Sequence, residues 1–262
     1  MVQECEVSIV MPAFNSKDYI SQAIDSVLGQ SFQLWELLIV DDCSSDDTVK
    51  VVSGYLHDAR IRLIQNSKNM GGAGARNKAI EQAKGRYVAF LDSDDVWAPD
   101  KLERQLASMQ KSNVALSYGD YEIMDEKGAV YEQIKTPAHV SLSDMLKHNY
   151  IACLTAIYDT DQVGKVYMPL VRKRQDFALW IEILKKCGEA HAVSGSLGKY
   201  RVRPGSLSGS KKDAFYYYWK VLREVAGCGV VGASYNMAFY LSIVFCKKKL
   251  PFLYNWVVSR NA

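Results

Sequence analysis

Tyr87-Val-Ala-Phe-Leu91-Asp92-Ser93-Asp94-Asp95 decides how this chain reads. Its first five residues are apolar or aromatic, which suits a strand buried on both faces. Three carboxylates in the next four positions repel one another unless a cation joins them. The same arrangement recurs upstream. Val7-Ser-Ile-Val-Met11 is an apolar run closed by Pro12, and Trp35 to Val40 is another, ending on Asp41-Asp42. Between them, Asp18 to Leu28 carries Ile20, Ala23, Ile24 and Val27 at helical spacing, with Ser16 as candidate N-cap. Asp46-Asp47-Thr48 opens a helix through Leu56. Ile61 to Ile64 is a third strand, and Gly71 to Lys84 is a helix stopped by Gly85. This alternation predicts a mostly parallel sheet with helices on both faces. Ligands bind at the carboxyl ends of such strands, so the two acidic clusters are expected to share one crevice.

Downstream of about residue 112 the pattern changes. Val114 to Tyr118, Tyr121 to Met124 and Val130 to Ile134 read as short strands around Gly128, with helical patches at Ser141 to Lys147 and Asp176 to Lys186. Residues 1–112 are therefore expected to form one ligand-binding α/β half, and residues 113–210 a mixed α+β half that is a natural place for an acceptor site. Residues 211–262 form a helical C-terminal segment. Within it, Val225 to Cys246 contains no charged residue and precedes three lysines. Its glycines make it a poor bilayer span. With Phe252, Tyr254 and Trp256 beyond, it suits a segment lying on an anionic membrane surface, or else a buried helical subdomain.

The 262 residues are 48% hydrophobic and 23% charged, enough to bury a sizeable core. A formal charge of +3 is too mild to indicate nucleic acid. The six cysteines include no C-x-x-C pair, which speaks against a zinc or redox motif and suits a reducing cytosol. No basic n-region with an apolar h-region opens the chain, so no signal peptide is read.

Several constellations carry chemistry. Hard divalent ions take oxygen ligands and bridge carboxylates to phosphates, so the Asp92–Asp95 cluster could hold a metal against a departing diphosphate. A solvated acidic turn or helix cap is the plainer alternative. Asp41-Asp42 could accept from a base N–H or a ribose hydroxyl, or cap a helix. Asn69-Met-Gly-Gly-Ala-Gly-Ala-Arg76-Asn77 is a Gly-rich helix start offering N–H groups to phosphate. It lacks the third glycine of the dinucleotide fingerprint and is not in the first βα turn. Asp176 could be a general base or an N-cap. Tyr200-Arg-Val-Arg-Pro-Gly-Ser206-Leu-Ser208 could clamp phosphate or form an exposed turn.

Taken together, these residues resemble the family 2 inverting glycosyltransferases of GT-A fold, a Rossmann-like α/β architecture. The likeness runs from Val7 to about Ser208 and includes Val7–Asn15, Val40–Asp46, Asn69–Asn77, Asp92–Asp95, Gln175-Asp176 with Leu179-Trp180, and Tyr200-Arg201. It implies that Pro12, Ala13 and Phe14 line a nucleoside pocket, that Asp42 contacts uracil with Asp41 in support, and that Asn69 belongs to the same site. It implies that Arg76 reaches the base or diphosphate, that Asp92 and Ser93 meet the ribose, and that Asp94, with Asp95, holds Mn²⁺ or Mg²⁺. Asp176 would take the acceptor's proton. Arg203, Ser206 and Ser208 would close over the donor. Cys43 replaces the family's usual glycine, and Gln175 a common glutamate.

The function so implied is transfer of a hexose, glucose or galactose, from a UDP-sugar to a lipid-diphosphate-linked saccharide. The setting would be surface-polysaccharide or O-antigen synthesis at the cytoplasmic face of the cell membrane. A nucleotidyltransferase would carry a Gly-rich basic loop after the first strand, where Pro12-Ala-Phe-Asn15 stands. A non-catalytic sugar-nucleotide-binding protein is the other alternative.

Overall fold

The computed structural model describes residues 5–203 and 211–249. In chain order the first half runs β1 (Val7–Ala13), α1 (Ile20–Leu28), β2 (Trp35–Asp41), α2 (Thr48–Ser53), β3 (Ile61–Gln65), α3 (Gly71–Gln82), β4 (Tyr87–Phe90), β5 (Val96–Trp97) and α4 (Lys101–Ser112). The second half adds β6 (Leu116–Gly119), β7 (Tyr121–Met124), β8 (Val130–Ile134), β9 (His139–Ser141), α5 (Leu142–Met145), β10 (Ile157–Asp159), α6 (Thr160–Val163), α7 (Gln175–Cys187), β11 (Glu189–Val193) and β12 (Gly198–Arg201). Helices α8 (Lys211–Lys220) and α9 (Val230–Lys249) follow, joined by a π-helical turn at Val221–Val225.

One eight-stranded sheet runs β3-β2-β1-β4-β10-β6-β11-β9. Its first four strands are parallel, as the alternation predicts. Strand β10 is inserted antiparallel between β4 and β6, and β9 closes the far edge antiparallel to β11. A second sheet, β5-β12-β7-β8, lies beyond. Every residue of β2 is buried because both sheet faces are covered. Alternate residues divide between two cores. Val10, Leu38, Val40, Val88 and Phe90 pack with α3 and α7. Ile9, Met11, Leu37, Ile39 and Ala89 pack with α1 and α4. Trp180 of α7 is fully buried, meets Phe90 edge-on at 5.4 Å and donates its indole N–H to the Ile151 carbonyl.

Four departures from the sequence reading concern the helices of the first half. Ser16 does not cap α1 with its side chain. Its carbonyl accepts from Tyr19 and Ile20, while its hydroxyl is buried and unpaired. Helix α2 ends at Ser53 rather than Leu56. Helix α4 has no counterpart in the expected elements. Helix α3 stops at Gln82 because the Lys84 and Gly85 amides turn to the Ser8 hydroxyl, and the Lys84 amide also reaches Glu36.

That turn brings Gly85 hard against β1. A Cβ there would lie 2.7 Å from the Ser8 amide nitrogen and 2.8 Å from the Glu6 carbonyl oxygen, both backbone atoms. Gly85→Ala is therefore expected to destabilise the fold by about 1–3 kcal/mol, the usual cost of overpacking. Thermal unfolding should show a drop of several degrees; an unchanged midpoint would refute the close approach.

Candidate active site

Strands β1, β2 and β4 end at one edge of the sheet, and the acidic clusters meet there. The Asp42 amide donates to the Ala13 carbonyl, and the Leu91 amide to the Val10 carbonyl, keeping the strand ends in step. Asp42 is 3% exposed, and its carboxylate accepts from Asn66 Nδ2 (2.7 Å), the Met70 amide (2.8 Å) and the Gly71 amide (2.7 Å). Two of the N–H groups expected to face phosphate at the start of α3 are thus taken by the protein's own carboxylate. Asn69 braces the same turn, donating to the Asp42 carbonyl and accepting from Gly71. Gly71 adopts φ 73°, a conformation glycine enters without steric cost.

Asp41 is equally buried. Its Oδ2 accepts from the Ser44 amide at 3.2 Å, while Oδ1 has no partner. A buried carboxylate oxygen with nothing to accept from is costly unless a ligand supplies the donor. Pro12 and Ala13 close β1 beside it, and Phe14 follows with half of its surface exposed.

Arg76 projects from α3 to pair with Asp92. Burial disfavours its charge, but the Asp92 carboxylate, with Asp176, outweighs that and holds its pKa above the ordinary value. Gly72 leaves room for the guanidinium, since a Cβ there would sit 3.0 Å from Arg76 Nη1 and 3.3 Å from Gln175 Oε1. The starts of α3 and α7 therefore lie together, which delivers Asp176 to the acidic cluster. Asn149 Nδ2 donates to Asp176 Oδ2 at 3.2 Å. Cys153 sits among these groups. Burial first, then Asp92, pushes its thiol well above its usual range, so it stays neutral.

Within the cluster the carboxylates play different parts. Arg203 Nε contacts Asp94 Oδ2 at 2.8 Å. Burial and the Asp92 charge raise the Asp94 pKa. Asp95 points inward, 2% exposed, and accepts from the Arg201 amide at 2.9 Å. Burial, with Asp94 and Asp92, lifts its pKa well above the usual carboxylate value. Ser93 is also buried. Arg201, read as part of a phosphate-clamping loop, is a buried structural residue. It is 2% exposed and donates to the Asp94 and Glu126 carbonyls and to Gln22 Oε1. Its guanidinium and that of Arg203 lie over the Tyr19 ring at 5.0 and 5.6 Å. Ser206 and Ser208 lie outside the described residues. Asn149, Cys153 and Tyr19 escaped the sequence reading, because nothing local marks them.

Among the described residues, no three His, Cys, Asp or Glu side chains converge as a ready-made metal cage. The donor chemistry nonetheless fits a hard divalent ion. Asp94 is an oxygen donor crowded by like charge, and Arg203, the cation paired with its carboxylate, is a third exposed.

An α/β sheet with carboxylates gathered at the carboxyl edge of its strands is a ligand-binding architecture. Residues 8–172 match the Glycosyl transferase family 2 model, and the chain belongs to that family. It is 43% identical to the putative teichuronic acid biosynthesis glycosyltransferase TuaG of Bacillus subtilis (strain 168), covering 89% of this chain and 94% of that one. It is 40% identical to the UDP-Glc:alpha-D-GlcNAc-diphosphoundecaprenol beta-1,3-glucosyltransferase WfgD of Escherichia coli, covering 83% and 85%. S. aureus TarS 1–349 in complex with UDP superposes with a TM-score of 0.70 at 23% identity, over 92% of this chain and 72% of TarS. The Pyrobaculum calidifontis mannosyltransferase PcManGT, in complex with GDP-Man and Mn2+, gives 0.69 at 15%, over 99% and 80%. These likenesses establish the GT-A fold.

Asp42 offers a direct check on how the crevice is built. Asp42→Asn places an amide NH₂ against one of three donors. It is expected to cost about 1–3 kcal/mol of stability, as buried unsatisfied groups do. Denaturant unfolding measures it, and a wild-type midpoint would show that Asp42 does not organise the start of α3.

Proposed function

We propose that this protein is an inverting hexosyltransferase using a UDP-sugar donor and a divalent cation. Its acceptor is a hydroxyl of a saccharide linked through diphosphate to a polyprenyl lipid. The observation that carries the reading is the convergence of Asp176 with the Arg76–Asp92 pair at the sheet's carboxyl edge. The relatives named for GlcNAc-diphosphoundecaprenol glucosyltransfer favour glucose over galactose, a β1,3 linkage and a role in surface polysaccharide synthesis at the cytoplasmic membrane face. No helix of the described residues is long and apolar enough to cross a membrane.

The residues divide the work as follows. Phe14 offers an exposed ring to the nucleoside, beside Pro12 and Ala13. Asp41 Oδ1, buried without a donor, suits the uracil N3–H better than Asp42, whose carboxylate already accepts three hydrogen bonds. Asp42 and Asn69 instead shape the pocket wall. Asp92 and Ser93 face the ribose, with Arg76 holding Asp92 and placing positive charge near the diphosphate. Arg203 would leave Asp94 for the phosphates as the donor binds, and the Ser206 and Ser208 hydroxyls would add hydrogen bonds to the donor. Asp94 would hold Mn²⁺ or Mg²⁺, and Asp95 would brace it from behind; bound there, the cation would offset the charge that builds on the leaving diphosphate.

Asp176 accepts the proton of the acceptor hydroxyl as its oxygen attacks the anomeric carbon. The bond from that carbon to the UDP oxygen breaks on the opposite side, and UDP departs with the bonding electrons. One displacement inverts the centre, so an α-linked donor yields a β-glycoside. Asn149 keeps the Asp176 carboxylate oriented.

Asp176→Asn is expected to lower transfer by about 10²–10⁴-fold, the range for losing a general base, with UDP affinity unchanged. Loss of UDP binding in the same variant would sink the base assignment. UDP release from a panel of UDP-hexoses, with a GlcNAc-diphosphate-lipid acceptor and either Mn²⁺ or EDTA, tests the whole reading. Acceptor-dependent release from one donor, abolished by EDTA, is the expected result. Release that persists in EDTA would remove the metal from the mechanism.

A further inference from the structure

Helices α8 and α9 carry an open groove of about 550 Å³ that the proposed reaction has not used. It is lined by Phe215, Tyr216, Trp219, Met237 and Leu241, with no charged side chain among them. Its size falls in the range of small-molecule sites, about 300–1,000 Å³. Its walls are exposed: Tyr216 is 62% accessible and Leu241 44%. The groove is not remote from the chemistry. Arg174, two residues before Asp176, donates to the Tyr240 hydroxyl at 2.8 Å and lies over the Tyr218 ring. Tyr240 in turn meets the Phe215 ring at 6.0 Å. A continuous path therefore runs from the base through a guanidinium to an apolar trough. Arg172 is exposed at the same turn, and Lys173 bridges to Asp213 of α8.

We propose that this trough seats the first isoprene units of the lipid-diphosphate acceptor, with its diphosphate over Arg172 and Arg174. The proposal rests on the glycosyltransferase reading above and deepens it by giving the acceptor's lipid a place. The order of chemistries along the path matches the order along such a substrate: hydroxyl at Asp176, phosphates at the arginines, hydrocarbon on the aromatic trough. Charge complementarity supports this occupant. Residues 211–249 carry seven basic and two acidic side chains, so the apolar surface is set in a basic segment, as an anionic lipid requires. Aromatic walls suit the branched, unsaturated isoprenyl chain and leave the phosphates to the guanidiniums.

Binding of farnesyl diphosphate, below its micelle concentration, to the full chain tests this without turnover, with inorganic diphosphate as comparison. The unmodified protein is expected to bind the farnesyl probe at least about tenfold more tightly, the return on burying a few methylenes. Tyr216→Ser combined with Leu241→Ser should erase that margin. Val231→Ser, which removes an 85%-exposed residue of α9 outside the trough, should preserve it. UDP affinity confirms that each variant is folded. Equal affinity for the two probes, or a margin that survives the double variant, overturns the proposal. An equal loss in Val231→Ser also overturns it, in favour of α9 lying on a bilayer. In transfer assays, the double variant's rate with a farnesyl-linked GlcNAc-diphosphate should fall to that with the methyl-linked form. Absence of transfer by the unmodified protein would refute the glycosyltransferase reading alone, since farnesyl binding still decides the trough.

Discussion

Six carboxylates are gathered around one edge of the central sheet, and much of the surrounding structure exists to bear their charge. Asp41, Asp42, Asp92, Asp94, Asp95 and Asp176 would repel one another in any arrangement that left them unpaired. Each has its own donor instead: the Ser44 amide, the start of α3, Arg76, Arg203, the Arg201 amide and Asn149. The compensation is incomplete at Asp94 and Asp95, whose pKa values remain raised by burial and by neighbouring carboxylates, Asp92 at Asp94 and both Asp94 and Asp92 at Asp95. That crowding is what the proposed divalent cation would relieve.

The donors come from far along the chain. Arg201 reaches Asp94 and Asp95 across more than one hundred residues, and β12 aligns with β5 and β7 to hold it there. The second sheet thus locks the acidic loop rather than merely extending the core. Helix α7 does the corresponding work for Asp176. Its buried face, with Phe177 and Trp180, is fixed against Phe90 and Tyr218, and its first turn is left at the crevice. The residue before it, Arg174, adopts a left-handed backbone at φ 65° and couples that turn to α8 and α9. Helices α8 and α9 are therefore joined through Arg174 to the turn that carries Asp176.

How much could be read from the chain alone depended on how local each signal is. The apolar runs of β1, β2 and β4 and the spacing of α1 needed only neighbours a few residues away, so the parallel half of the sheet was legible. Helix α4 was not, because its buried face includes Lys101 and Gln105. Those two pair with each other, and Lys101 lies over the Trp97 ring. Their polarity hid an interior position. Ser16 misled for the opposite reason. Its residue type favours a cap, but its hydroxyl faces inward and its amide turns to Thr48.

The sequence by itself determined which residues could do the chemistry. Acidic runs after strands, a Gly-rich helix start and an aspartate before an apolar helix face are all short-range patterns. Only the tertiary structure decided which of those residues are spent inside the protein and which remain for a ligand. Asp42 and Asp41 are adjacent and alike in type, yet one accepts three internal hydrogen bonds and the other keeps a buried oxygen unpaired. Arg201 ends β12 and Arg203 lies two residues beyond it, yet one is sealed inside and the other stays partly exposed on Asp94. The reason is geometric. Strand alternation would put residues two apart on one side, but the regular strand stops at Arg201, and what surrounds each side chain is set by segments the local sequence does not contain.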